Sequence, residues 1–113
     1  MPIEYIAHPI EANINDVTGF RALGVLYTNN TLRPLQVVIS TTHQVLVLGV
    51  PLLVQLNIDA VGTAWGGWFV TPAIGNTKYS LIVGNIRPGG TYQLNQNAAG
   101  GVNTIITWIE VNQ

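Results

Sequence analysis

The sequence has no cysteine. That removes disulfides, thiolate metal ligands and cysteine nucleophiles together, so packing or association has to hold the fold. Charge is the next scarcity: Lys, Arg, Asp and Glu make up 8% of the 113 residues, where an ordinary soluble domain carries roughly 25%. Four basic against five acidic residues leave a formal charge of −1. There is no basic field for nucleic acid and no acidic run of the kind that keeps a tail disordered. Long hydrophobic runs are also missing. The longest, Val45 to Leu56, is interrupted by Gly49, Pro51 and Gln55 and falls short of the ~20 residues a membrane helix needs. The stretch Met1 to Asn15 lacks a basic n-region and carries Glu4 and Glu11, so it does not read as a secretory signal. The expectations are one domain, no nucleic-acid partner and no membrane partner.

What is present is β-branched and punctuated. Lys, Glu and Arg are scarce, while 12 Gly and 6 Pro divide the chain into short apolar segments, which disfavours helix and favours strand. Leu35, Val37 and Ile39 alternate with Gln36, Val38 and Ser40. Tyr79, Leu81 and Val83 alternate with Lys78, Ser80 and Ile82. Thr104 to Val111 sets Ile105, Thr107, Ile109 and Val111 against Thr104, Ile106, Trp108 and Glu110. Each is the period-two pattern of a strand, and it places Glu110 outward. Further strands are expected at Arg21 to Tyr27, Gln44 to Val50, Leu52 to Ile58, Trp65 to Val70 and Thr91 to Leu94, bounded by Gly, Pro, Asn and Asp turn signals. About eight short strands make an all-β chain, an antiparallel two-sheet β-sandwich of jelly-roll type. Residues 21–113 form this domain, and residues 1–20 form an N-terminal arm or, at Glu4 to Ile10, one extra strand. A sandwich with so few charges has little to protect its surface, so the chain is expected to bury apolar surface against copies of itself, as a homo-oligomer.

Catalytic chemistry has little material. Ser40 or Ser80 with His43 and Asp16 is a triad on paper, without a nucleophile-elbow context. Asp59 reads as the start of an Asp59 to Gly62 turn. No two of His8, His43, Asp16 and Asp59 stand at metal-ligand spacing. The chain is expected to be no enzyme and to need no cofactor or metal. Gly62 to Gly67 and Arg87 to Gly90 are glycine-rich but lack the Lys-Ser/Thr of a phosphate loop. Asn29-Asn30-Thr31 matches a glycosylation sequon but reads as turn chemistry. Trp65 and Trp68 fall on opposite faces of a regular strand, unless Gly66-Gly67 bulges and brings them together. Core packing, a subunit interface and sugar stacking all remain open for these indoles. The residues singled out for contact with a partner or a glycan are Trp65, Trp68, Asn29, Asn30 and Asn97.

Two stretches resemble a known family. Arg21 to Ser40 contains Tyr27-Thr28-Asn29-Asn30-Thr31-Leu32-Arg33-Pro34 followed by an alternating strand. Ile86-Arg87-Pro88-Gly89-Gly90-Thr91-Tyr92 is followed by a last strand with Trp108-Ile109-Glu110-Val111. Together they resemble the opening and closing parts of small β-sandwich modules in the virions of tailed bacteriophages. Arg87 precedes Pro88 here, and Gly89 stands where those modules have a second proline. The resemblance implies a β-sandwich, commonly trimeric, either at a tail-fibre tip or on the outer surface of the capsid. Twenty residues before Arg21 are too few for a fibre shaft. The expectation is therefore a capsid decoration or cement protein whose partners are itself and the major capsid protein. The alternative is a tail-fibre receptor-binding module that contacts host glycan.

Overall fold

The computed structural model describes residues 13–113. Residues 1–12, including the strand considered at Glu4 to Ile10, lie outside that range. Eight strands follow in order: β1 (Asn13–Asp16), β2 (Tyr27–Thr28), β3 (Leu35–Val45), β4 (Leu52–Ile58), β5 (Val61–Trp68), β6 (Thr77–Ile86), β7 (Thr91–Asn97) and β8 (Gly101–Asn112). Among the described residues the only helical turn is Thr18–Phe20, between β1 and β2. The arm expected up to residue 20 thus contains an edge strand.

Sheet one has the order β1-β8-β3-β6 and sheet two the order β2-β7-β4-β5, and every pairing is antiparallel. The pairs β1–β8, β2–β7, β3–β6 and β4–β5 are the rungs of one long hairpin. Rolling that hairpin up sets β8 beside β3 and β7 beside β4, which is the jelly-roll topology. The inner faces meet over Leu35, Val37, Ile39, Ile82, Ile86 and Trp108 from sheet one and Val54, Leu56, Tyr92 and Leu94 from sheet two. Each of these side chains is at most 4% exposed, and full burial of an aliphatic one stabilises by roughly 1.5–3 kcal/mol.

Turn chemistry fixes the boundaries. Asp59 and Ala60 both have positive φ, 50° and 66°, the two-residue hairpin geometry whose twist suits flanking strands. Val61 and Gly62 therefore open β5 instead of completing a four-residue turn, and β5 ends at Trp68 rather than Val70. Between β6 and β7 the Gly90 N–H donates to the Arg87 carbonyl at 2.9 Å. Pro88 and Gly89, the latter at φ 76°, occupy the centre of a type II turn. Two expected strands are loops instead. Gly24 turns the chain at φ 77°, leaving only Tyr27 and Thr28 paired. Beyond Val45, the Leu46 and Val47 N–H groups donate to the Gly100 carbonyl and Gly49 turns at φ 73°.

Glu110 is not outward. In the β3–β8 ladder Ser40 faces Thr107 and Thr41 faces Ile105, so Ile106 is an inserted residue. This bulge shifts the phase of β8 and turns Trp108 and Glu110 into the sandwich.

Candidate functional site

The outward face of sheet two is built by register. Asn95, Gln55 and Trp65 are directly opposed across β7, β4 and β5, and Asn97 and Leu53 lie in the next row, which ends at Gly67. Directly opposed residues project to the same side of a sheet. Pro51, Leu53, Gln55, Trp65, Asn95, Gln96 and Asn97 line a shallow cleft of about 300 Å³ there. Trp65 is 51% exposed and is braced by Phe69, with ring centroids 5.7 Å apart at 46°. Gln55 and Leu53 had no sequence signal, because their neighbours come from strands distant in the chain.

The other predicted contact residues do not join this cleft. The β5 register is unbroken from Leu56 to Leu52, so Trp68 points to the opposite face from Trp65. Its indole N–H approaches the His43 carbonyl at 3.4 Å, and the Lys78 ammonium sits 5.0 Å from the ring centroid. Asn29 is only 2% exposed. Its amide N–H group donates to the carbonyls of Arg33, Ile86 and Arg87, and its Oδ1 accepts from the Thr31 N–H and hydroxyl. That is a structural pin for the loop before β3. Asn30 is exposed beside it. Thr28 pairs with Thr91, six residues along β7 from Asn97, so this loop lies roughly 20 Å from the cleft at the strand rise of about 3.3 Å per residue.

Two buried polar clusters occupy the interior. Glu110 accepts from Arg21 Nε and Nη2, each at 2.9 Å, from the Tyr92 hydroxyl at 2.9 Å and from the Trp108 indole N–H at 3.1 Å. Tyr27 completes the cluster, its ring centroid 4.6 Å from the Arg21 guanidinium and 5.9 Å from that of Trp108. Burial, with the Glu110 carboxylate beside it, pushes the Tyr92 phenol well above its ordinary range. In the second cluster Asn103 Nδ2 donates to the Leu53 carbonyl, Gln96 Oε1 and the Asn97 carbonyl, which leaves its Oδ1 to accept from His43 Nδ1 at 2.7 Å. His43 is therefore the Nδ1–H tautomer, and its Nε2 accepts from the Thr41 and Ser80 hydroxyls, each at 3.0 Å. Ser80 and His43 do meet, as the paper triad required, but Asn103 takes the third place and Asp16 instead binds Thr18 in the arm. With the imidazole fully buried and Nε2 shared by two hydroxyls, the group reads as a satisfied polar network in the sandwich. Among the described residues no group of three His, Asp or Glu could hold a metal ion.

The outward face of sheet one is of another kind. Ile109, Val38 and Val83 form one row across β8, β3 and β6; Thr107, Ser40 and Leu81 form the next; Thr104, Thr42 and Tyr79 a third. Tyr79 and Leu81 are 77% and 67% exposed, and Val83 and Ile106 are open as well. The first row continues onto β1 as Asp16, its one charged member, and the other two rows carry no charge. Compared with protein-family models, curated proteins and solved structures, the chain has no match.

Proposed function

We propose that the protein is a structural component of a tailed-bacteriophage virion, a decoration or cement protein that acts as a homo-oligomer on the outside of the assembled head. The observation that carries this reading is the apolar band on the outer face of sheet one, Tyr79, Leu81 and Val83 of β6 with Ile106 and Ile109 of β8. A solvated antiparallel sheet normally alternates apolar-in with polar-out, whereas here β6 and β8 carry these five residues outward, with Val38, Ser40 and Thr42 of β3 between them. The occupant assigned to this face is a second copy of the chain. The charged strand residue on this face, Asp16, stands on β1, outside the three strands that carry the apolar band. Three strands about 4.8 Å apart and about ten residues long give roughly 500 Å² per partner, or about 1,000 Å² in total, the threshold for a specific interface.

The virion placement is supported by the sequence resemblance at Tyr27 to Pro34 and at Ile86 to Val111, and by a topology that capsid and lectin domains share. The mechanism is burial and mass action: an oligomer that binds only the assembled shell adds its binding free energy to that state. Two measurements test the reading. In purified virions the protein should be present at a copy number comparable with the major capsid protein, and scarcity at the level of tail components refutes the head placement. Light scattering of the isolated protein at micromolar concentration should give an oligomer that Val83→Glu converts to monomer. A monomeric parent protein refutes the assigned interface.

A further inference from the structure

We infer that the outward face of sheet two is a binding cleft for a neutral oligosaccharide, with Trp65 as its stacking platform. The inference is independent of the virion placement and concerns the face that the proposed oligomer leaves open.

The chemistry of the row selects the ligand. Trp65, Gln55 and Asn95 span two strand spacings, roughly 10 Å, with the aromatic at one end and amides at the other. A pyranose offers an apolar C–H face and a rim of hydroxyls, each both donor and acceptor. Stacked on the indole, it sets that rim over Gln55 and Asn95, whose amides also both donate and accept. Gln96 borders the cleft but is opposed to Val54 and bonds inward to Asn103, so it braces the rim. Asn97 has its Oδ1 on the Ala99 N–H, which leaves its Nδ2 for a ligand. None of the seven lining residues is charged, so nothing in the cleft favours a carboxylate, sulfate or phosphate group.

The cleft is also held in shape. The Gln55 amide occupies the space over Gly62, where an added Cβ would stand 1.8 Å from Nε2; only glycine at that position lets the amide lie flat on the sheet. Phe69 braces Trp65 from the side. Lys78, the nearest cation along this edge, lines a neighbouring hollow that shares Trp65 but not the cleft itself, its ammonium bonded to the Gly67 carbonyl at 3.0 Å and lying over Trp68. The volume of about 300 Å³ stands at the small end of ligand sites, roughly 300–1,000 Å³. A short stretch of glycan fits it better than a large cofactor.

The test is a titration of the purified protein followed by the three tryptophan indole N–H signals in NMR, with Trp65→Phe assigning the Trp65 peak. An array of immobilised neutral and acidic glycans selects the probes, with maltohexaose, cellohexaose and mannohexaose as the starting neutral set and trigalacturonate as the acidic one. The expected result is a saturable shift of the Trp65 peak with at least one neutral oligosaccharide below about 20 mM, weakened at least tenfold by Trp65→Ala and several-fold by Gln55→Ala. Trp65 is half exposed on an edge strand, so its replacement leaves the core untouched, and unchanged Trp108 signals confirm the fold. Three outcomes overturn the inference: no neutral glycan moves the Trp65 peak, trigalacturonate binds more tightly than every neutral probe, or binding survives Trp65→Ala.

Discussion

Glu110→Ala tests the interior most sharply, because local alternation and the folded structure give opposite answers for this residue. The substitution removes one acceptor that serves Arg21 twice, the Tyr92 hydroxyl and the Trp108 indole. Tyr92 and Trp108 are 2% and 0% exposed, so their stranded donors have no route to water. Arg21 retains 22% side-chain exposure and regains part of its hydration. Breaking a fully buried ion pair costs roughly 3–5 kcal/mol, and each stranded neutral donor about 1–3 kcal/mol. These contributions overlap, and the half-open guanidinium reduces them, which leaves about 4 kcal/mol, a large part of the 5–15 kcal/mol that holds such a domain together. At about 4 °C or more per kcal/mol, the melting temperature falls by at least ~16 °C.

Urea unfolding at pH 7, followed by tryptophan fluorescence, measures the loss. The double variant Arg21→Met, Glu110→Leu is the control. It removes both charges and refills the space, and should recover the part of the loss that comes from the unpaired Arg21 charge, while the Tyr92 and Trp108 donors stay stranded at about 1–3 kcal/mol each. A loss below about 1 kcal/mol for Glu110→Ala is what a surface glutamate gives. That result would refute the buried cluster and restore the outward reading.

Asn29→Ala removes three amide-to-carbonyl bonds and an acceptor for Thr31 in a buried loop; it should cost about 2–3 kcal/mol in urea unfolding and leave the glycan titration unchanged, and a loss of binding without a loss of stability would contradict its structural assignment. Burial holds the His43 imidazole below its ordinary value of 6.5, with Lys78 acting in the same direction and Asn103 against it. As pH falls the unfolded chain takes up this proton first, so stability intact above pH 6.5 declines below it, by at most ~1.4 kcal/mol per pH unit from this group. An NMR titration in which the His43 ring protonates at or above pH 6.5 would contradict this. Gly67→Ala sets a Cβ 2.3 Å from the Leu52 carbonyl at a φ of 114°; it should cost at least about 2 kcal/mol and loosen β5, read as faster amide exchange at Gly66 to Trp68.

How far the sequence was legible depends on the range of the interactions involved. Leu35, Val37 and Ile39 alternate within a few residues, and their burial follows from period two alone. Leu52 to Ile58 matched its strand end for end, because Pro51 and Asp59 mark both limits. Glu110 was misread because its face depends on the inserted Ile106, visible only in the pairing of β8 with β3, and because its counter-ion is Arg21, 89 residues away. Gln44 to Val50 looked like a strand for the opposite reason. Its apolar residues were informative, but the partner of the Leu46 and Val47 N–H groups is the Gly100 carbonyl in the loop before β8. At the cleft, Trp65 and Asn97 were legible as residue types suited to contact, while their convergence through Gln55 and Leu53 is a property of the β7–β4–β5 register. Asn29 has the same chemistry as Asn97, and only the loop geometry decides that one is buried and the other open.

The scarcity of charge has a consistent location. Arg21 and Glu110 consume one another inside the sandwich, Asp59 and Arg87 pair across neighbouring turns at 3.0 Å, and Lys78 folds over Trp68. The outer face of sheet two is thereby left uncharged and rich in amides, and that of sheet one carries a single charged strand residue, Asp16, at its β1 edge. If copies join through sheet one, each adds an identical Trp65 row to the oligomer, and weak single-site binding becomes multivalent attachment. Such coupling can raise apparent affinity by 10²–10⁴ without any new contact, at effective concentrations set by the spacing of the sites. Val83→Glu, in the sheet-one row with Val38 and Ile109 and away from Trp65, separates the two faces. Its Trp65 peak should titrate with the same oligosaccharide at the parent's affinity, while its retention on a surface densely coated with that glycan falls by about two orders of magnitude. Equal retention of parent and variant would show that the faces are not coupled through assembly, and a weakened single-site titration would show that sheet one shapes the cleft directly.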